Sequence, residues 1–146
     1  MDVPEQVRRI DYDNGFYLGP VGPDGATEEG AGMFVWRSGE VYEGDFQNGT
    51  RTGRGKLVWP DGTEYEGDFR DDARTGRGKI CWPSGDWYEG DFQNGTRTGR
   101  GTMHWASGER YVGGFVAGQP QGRGVRFTAT GEIDFSGNWD RGVPVR

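Results

Sequence analysis

The segment Tyr42-Glu43-Gly44-Asp45-Phe46 alternates between aromatic or bare positions and acidic ones. A period of two is the signature of a β-strand with one packed face and one wet face. Tyr42, Gly44 and Phe46 share one side, while Glu43 and Asp45 share the other. Asn48-Gly49 follows. This pair is the strongest short signal for a type I′ hairpin, because both central residues need positive φ. A Gly-rich, basic strand returns through Gly53-Arg54-Gly55-Lys56 and enters the apolar run Leu57-Val58-Trp59. It stops at Pro60-Asp61-Gly62, where Pro fixes one φ and Gly supplies the unusual one. The pattern predicts strand, tight turn, strand and looser turn.

The same frame restarts at Tyr65, Tyr88 and Tyr111, at a fixed step of 23 residues. Three copies read nearly alike, and the fourth carries one extra residue. A fixed step in this range marks a repeat array, in which each unit packs only on its neighbours and presents one long surface. The second copy turns on Asp71-Asp72, a poorer turn, although Asp tolerates the left-handed region. Upstream, Gly30, Gly32, Trp36 and Gly39 keep the offsets, and Tyr17 and Gly19 start a stretched copy. Downstream, Phe135-Ser136-Gly137-Asn138-Trp139 restarts the motif. Pro144 falls in the strand that would follow and would blunt an open edge. The chain therefore divides into an N-terminal cap, 1–16, and a degenerate repeat, 17–41. Four repeats follow, 42–64, 65–87, 88–110 and 111–134, and then a truncated repeat, 135–146.

Counting outward from Asn48-Gly49 sets an expected register. Gln47 faces Thr50, Phe46 faces Arg51, Asp45 faces Thr52 and Gly44 faces Gly53. Glu43 then faces Arg54 and Tyr42 faces Gly55. Cross-strand acid–base pairs of this kind favour pairing by a few tenths of a kcal/mol. The pairs Glu66–Arg77 and Glu89–Arg100 repeat it, and Val112 breaks it in the fourth copy. Each Trp before the looser turn (Trp59, Trp82, Trp105) is expected to fold beneath the sheet as core. Thr128 stands in that place in the fourth copy, where looser packing is expected.

Composition supports the array. The 29 Gly among 146 residues would suggest disorder without a period, but here each has a place. Six Trp, six Tyr and eight Phe are too many for a disordered tail, so aromatic rings must supply most of the core. The net charge of −6 opposes general nucleic-acid binding. No apolar run approaches a membrane span, and the N-terminus lacks an apolar signal core. The chain is read as intracellular and cytoplasmic, associated with cytoskeleton or membrane. The triplets Asn48–Thr50 and Asn94–Thr96 are read as turns rather than glycosylation sites.

The frame Tyr-x-Gly-x-Phe, then Asn-Gly, Gly-x-Gly and a Gly before the next Tyr resembles the MORN repeat (membrane occupation and recognition nexus). The resemblance runs over about residues 17–142. It implies an all-β fold: an elongated, twisted, single-layer antiparallel sheet of stacked hairpins with aromatics along a concave groove. It also implies a scaffold, of the kind found in membrane–cytoskeleton linkers and beside phosphoinositide kinases. Peptide binding along the groove is the better supported mode in the family, and direct membrane binding is the earlier one. No kinase or SET-type segment accompanies the repeats.

Catalytic chemistry finds little footing. One His, His104, and one Cys, Cys81, sit in different repeats and are read as packing residues rather than a nucleophile pair. A Cys/His zinc site cannot be assembled, and no metal or cofactor is expected. Gly53-Arg54-Gly55-Lys56 lacks the upstream Gly and downstream Ser/Thr of a phosphate loop. The row Asp45, Asp68 and Asp91 is read as a solvated face rather than a cation site. The expected partner is a protein segment, an extended peptide or an amphipathic helix. Its anchors would be Tyr42, Phe46, Trp59, Tyr65, Phe69, Trp82, Tyr88, Phe92, Trp105, Tyr111 and Phe115. Arg51, Arg74 and Arg97 recur at one offset. They either cover rings by cation–π contact or form a ladder for acidic peptide or anionic lipid. Self-association through open sheet edges, as a homodimer or end to end, is the third reading.

Overall fold

The computed structural model describes residues 7–146. Among them there is no helix. Thirteen strands form one antiparallel open sheet in which neighbours follow chain order. They are β1 (Val7–Tyr12), β2 (Gly15–Pro20), β3 (Gly30–Trp36), β4 (Val41–Gln47), β5 (Thr50–Val58), β6 (Glu64–Arg70) and β7 (Ala73–Cys81), followed by β8 (Trp87–Gln93), β9 (Thr96–His104), β10 (Arg110–Val116), β11 (Gln119–Phe127), β12 (Ile133–Asp140) and β13 (Val143–Pro144). The expected all-β array of hairpins is the observed one. Two compact units divide the chain, Met1–Ala73 and Arg74–Arg146.

In the first unit the β4–β5 hairpin turns on Asn48 and Gly49 at φ 51° and 79°, as a type I′ turn requires. Gln47 faces Thr50 and Phe46 faces Arg51, as expected. Beyond Phe46 the register slips. Gly44 faces Gly55, Glu43 faces Lys56 and Tyr42 faces Leu57. The expected facings of Glu43 with Arg54 and Tyr42 with Gly55 are therefore corrected. The cause is a β-bulge centred on Asp45. Gly53 adopts φ 120° there, and the Asp45 carboxylate accepts a 3.0 Å hydrogen bond from the Arg54 amide. The extra residues on β5 increase local twist and re-aim the side chains that follow. Arg54 instead pairs with Asp68, at 3.3 Å.

The second unit repeats the device. Asn94 and Gly95 turn at φ 48° and 81°, Phe92 faces Arg97, and the register shifts at Gly90/Asp91. Asp91 accepts a 2.9 Å hydrogen bond from the Arg100 amide, so the expected Glu89–Arg100 facing gives way to Glu89 opposite Thr102. Arg77 pairs with Asp91 at 3.2 Å. The bulge recurs at Gly113/Phe115 in β10–β11. Its cause is the spare length that Gly-x-Gly gives the return strand, which counting from the turn could not reveal.

In each unit the core lies on one face. Tyr17, Tyr42 and Tyr65 in the first unit, and Tyr88 and Tyr111 in the second, are 0% exposed. Leu57, Ile80 and Met103 are buried among them. The expectation that Trp59, Trp82 and Trp105 form the core is corrected: all three are only half-buried. The aliphatic residue two positions before each Trp takes the strand position opposite the Tyr, as Leu57 does against Tyr42, and each Trp is carried past the strand end into the turn.

The N-terminal region holds a strand that the repeat frame did not mark. β1 pairs with β2 from Val7↔Pro20 to Tyr12↔Gly15. At the other end, β13 is two residues long, with Pro144 opposite Trp139. A short edge carrying a Pro presents little free ladder to another chain.

Candidate functional site

The face is built from the Tyr–Gly contact upward. The Tyr42 ring lies flat on the bare backbone of Gly55, where a methyl group would come within 2.4 Å of the ring. Gly101 bears the Tyr88 ring and Gly124 the Tyr111 ring in the same way. Each hydroxyl reaches forward along its own strand. Tyr42 donates to the Asp45 carbonyl at 2.8 Å, Tyr65 to Asp68 at 2.7 Å, Tyr88 to Asp91 at 2.8 Å and Tyr111 to Gly114 at 2.9 Å. In the hairpins of Tyr42, Tyr88 and Tyr111 the acceptor belongs to the residue that faces the extra residues of the bulge, where the slipped ladder would leave its carbonyl unpaired. Burial disfavours the phenolate, so the Tyr88 pKa is pushed up to about 12, with the Asp91 carboxylate adding to the effect. Tyr42 and Tyr111 move in the same direction, again chiefly from burial.

Phe rings stand edge-on between successive tyrosines. Phe46 meets Tyr17 at 5.0 Å and Tyr42 at 5.1 Å, both near perpendicular. Phe69 meets Tyr42 at 5.0 Å, and Phe115 meets Tyr88 at 5.0 Å and Tyr111 at 5.2 Å. Trp139 takes the Phe position at the end of the row, 5.0 Å from Tyr111, and its indole N–H donates to the Gly124 carbonyl at 3.1 Å. These T-shaped pairs add roughly 0.5–1.5 kcal/mol each beyond area burial. Of the expected anchors, Tyr42, Tyr65, Tyr88, Tyr111, Phe46, Phe69, Phe92 and Phe115 are therefore sealed in the core, at most 6% exposed. They underlie the Trp- and Arg-bearing layer without forming its surface.

The accessible layer is Trp and Arg. In the first unit the Arg51 guanidinium lies over three rings, 5.2 Å from Trp36, 5.4 Å from Phe69 and 5.7 Å from Tyr42. Its Nε also meets the Asp72 carboxylate at 3.3 Å, and only 19% of its side chain is exposed. Asp72 stands at φ 68°, which a Gly would adopt more easily. Its carboxylate accepts from both the Arg51 amide and Nε, so the poorer turn carries its own clasp. In the second unit Arg97 lies 5.2 Å from Trp82 and 5.8 Å from Tyr88, and burial lowers its pKa. Arg74 is half-buried and packs its guanidinium against the turn glycine Gly95. Its carbonyl accepts from the Gly95 amide at 2.9 Å. Arg51 and Arg97 thus lie over rings, and Arg74 lies against a turn. Trp36, the equivalent position in the degenerate repeat, joins the row, although the anchor set began at Trp59.

The opposite face carries charge. Lys56 and Glu64 lie 3.6 Å apart, and both are about half exposed. Trp87 stacks on His104 at 3.6 Å and 9°, with the Lys79 ammonium 4.3 Å from the Trp87 ring. Burial first, then the charges of Arg110 and Lys79, lower the His104 pKa. Cys81 faces Trp87, and Trp87 faces His104 on the next strand. A whole strand thus separates Cys81 from His104, and the two cannot act as a nucleophile–base pair. Among the described residues no cluster of three or more His, Cys, Asp or Glu side chains could hold a metal ion. No helix there is long and apolar enough to cross a membrane.

Comparison with known proteins follows the same frame. The MORN-repeat family model matches residues 42–64, 65–87, 88–110 and 111–132. No curated protein matches the chain in sequence. Among solved structures, the TCP domain of SAS-4 (dCPAP) from Drosophila melanogaster, in complex with a proline-rich motif of Ana2 (dSTIL), aligns at 15% identity. The alignment covers 93% of this chain and 95% of that one, at a TM-score of 0.39. MORN repeats are in general non-catalytic, protein- or membrane-binding repeats that occur in membrane-associated and cytoskeletal proteins. Four matched copies, of which those begun by Tyr42, Tyr88 and Tyr111 each lay the Tyr on a glycine backbone, place this chain in the MORN-repeat family.

Proposed function

We propose that the chain is a non-catalytic scaffold that binds a protein segment, an extended peptide or an amphipathic helix, along the Trp-bearing faces of its units. The observation that carries this reading is the layering. A sealed Tyr–Phe–Gly core holds half-exposed Trp36 and Trp59 in the first unit and Trp82 and Trp105 in the second. Half-exposed indoles on a rigid support are good anchors, because they bring large contact area and little rotamer entropy is lost on binding. Binding anionic phospholipid through Arg51, Arg74 and Arg97 is the competing reading. It is weakened by Asp72, which neutralises Arg51, and by the net charge of −6.

Affinity capture from host-cell lysate tests the proposal, comparing the parent with a Trp59→Ser/Trp82→Ser variant. These side chains lie outside the buried core, so the variant is expected to keep the parent's circular dichroism. A protein held by the parent and lost by the variant, at both about 0.1 M and about 0.5 M salt, supports the reading. Equal capture by both proteins would refute it. Liposome binding that fades steeply with salt and is lost with Arg97→Gln would establish the lipid reading instead. Light scattering of the purified chain detects self-association through the open edges.

A further inference from the structure

The fourth repeat lacks the arginine that the first and third place over a tryptophan. Arg51 and Arg97 each stand opposite a Phe on the neighbouring strand, Phe46 and Phe92, and fold over Trp36 and Trp82. Pro120 holds the equivalent place opposite Phe115. Among the described residues no cation lies over Trp105, and the space is a cavity of about 450 Å³. Trp105, Trp139 and Pro120 line it with Asp86, Glu109 and Arg126. Arg126 is already committed: it pairs with Asp134 at 2.6 Å and lies 5.3 Å from the Trp139 ring. Asp86 is half-buried and spends one oxygen on the Ala106 amide at 2.8 Å. Its other oxygen and the exposed Glu109 make the mouth negative.

We propose that this cavity is a subsite for one arginine side chain of the partner protein, with the guanidinium over Trp105 and against Asp86 and Glu109. The proposal rests on the protein-binding reading above and names the chemistry of one contact within it. The chain itself supplies the precedent, because in two sister repeats its own guanidinium fills the same place over the same Trp. A planar guanidinium stacks on an indole while its edge donates to carboxylates, which an ammonium matches less well. Pro120 cannot reach over the ring as an Arg does, and so leaves that place to an external side chain.

The test uses the full chain and N-acetyl-arginine amide as probe, followed through the indole N–H resonance of Trp105 by NMR. A saturable shift is expected, and none with N-acetyl-norleucine amide, which has the stem without the charge. Asp86→Asn keeps the acceptor for Ala106 and should weaken the probe about tenfold, the loss of one charge-assisted contact. Pro120→Arg restores the repeat's own cation and should abolish the shift. No shift with the arginine probe would overturn the subsite. So would an equal shift with norleucine, the mark of an apolar occupant, or undiminished binding by Pro120→Arg. Partner capture that still depends on Trp59 and Trp82 while the probe fails would reject the subsite alone. Loss of both would reject the protein-binding reading as well.

Discussion

At the scale of the residue, the fold depends on a ring lying where no side chain can be. Gly55→Ala puts a methyl 2.4 Å from the Tyr42 ring, and both sides of that contact are packed. The ring cannot retreat without opening the core, so a loss of about 2–4 kcal/mol is expected, read as a lower midpoint in urea unfolding. Tyr88→Phe keeps the ring and removes only the hydroxyl, which leaves the Asp91 carbonyl buried and unpaired. A smaller loss of about 1–2 kcal/mol is expected. The Tyr–Gly neighbourhood was legible in the sequence, because aromatic and Gly positions alternate at a fixed spacing. The hydroxyl's task was not, since its acceptor is a backbone carbonyl freed by a bulge that no side-chain pattern announces. Titration gives a further check. The Tyr88 pKa is raised to about 12, so the folded state holds protons that the unfolded chain releases from its ordinary value near 10. The stabilising contribution is complete below pH 10 and is lost as pH rises toward 12. Tyrosinate absorbance is therefore expected to appear together with loss of the sheet's circular dichroism; tyrosinate appearing well before unfolding would show the rings to be wet.

At the scale of the element, the unit is a bulged hairpin. The turn residues were legible: Asn48-Gly49 and Asn94-Gly95 take the φ values their sequence predicts, and Asp71-Asp72 adopt the same geometry at a strain cost. The register close to the turn was legible too, down to Phe46 opposite Arg51. The register beyond the bulge was not, because Gly-x-Gly fits a regular or a slipped ladder equally well until Asp45 or Asp91 is seen bonding the amide across from it. That carboxylate is a hinge pin for the slip. Asp91→Ala should cost about 1 kcal/mol and speed hydrogen exchange at the Arg100 amide, with the turn between Gln93 and Thr96 still protected. Unchanged exchange at Arg100 would mean that the glycines alone set the bulge. The placement of Trp was misread for a related reason. In a single-layer sheet the interior is one ring deep, and Tyr, Phe, Leu57, Ile80 and Met103 already fill it, so the Trp after each strand stays at the surface.

At the scale of the whole molecule, thirteen strands follow chain order, and within each unit one face is buried beneath Trp and Arg while the other carries charge. Family and fold class were legible from a repeat that restates itself four times. The proposed binding surface was only half legible. Aromatic stripes announce that rings line up, but burial decides which of them a partner can touch, and it selects Trp over Tyr and Phe. Binding through the proposed Trp layer is expected to depend weakly on ionic strength because its anchors are uncharged indoles, apart from contacts at the Trp105 cavity. Oxidative footprinting with and without the captured partner tests whether the Trp-bearing face binds it, since the second unit carries its own control. Trp82 lies on the proposed binding face, and Trp87 stacks on His104 on the opposite one. The partner is expected to protect Trp82 and Trp105 from oxidation and to leave Trp87 unchanged. Protection of Trp87 with Trp82 and Trp105 still reactive would contradict it and move the binding surface to the charged face.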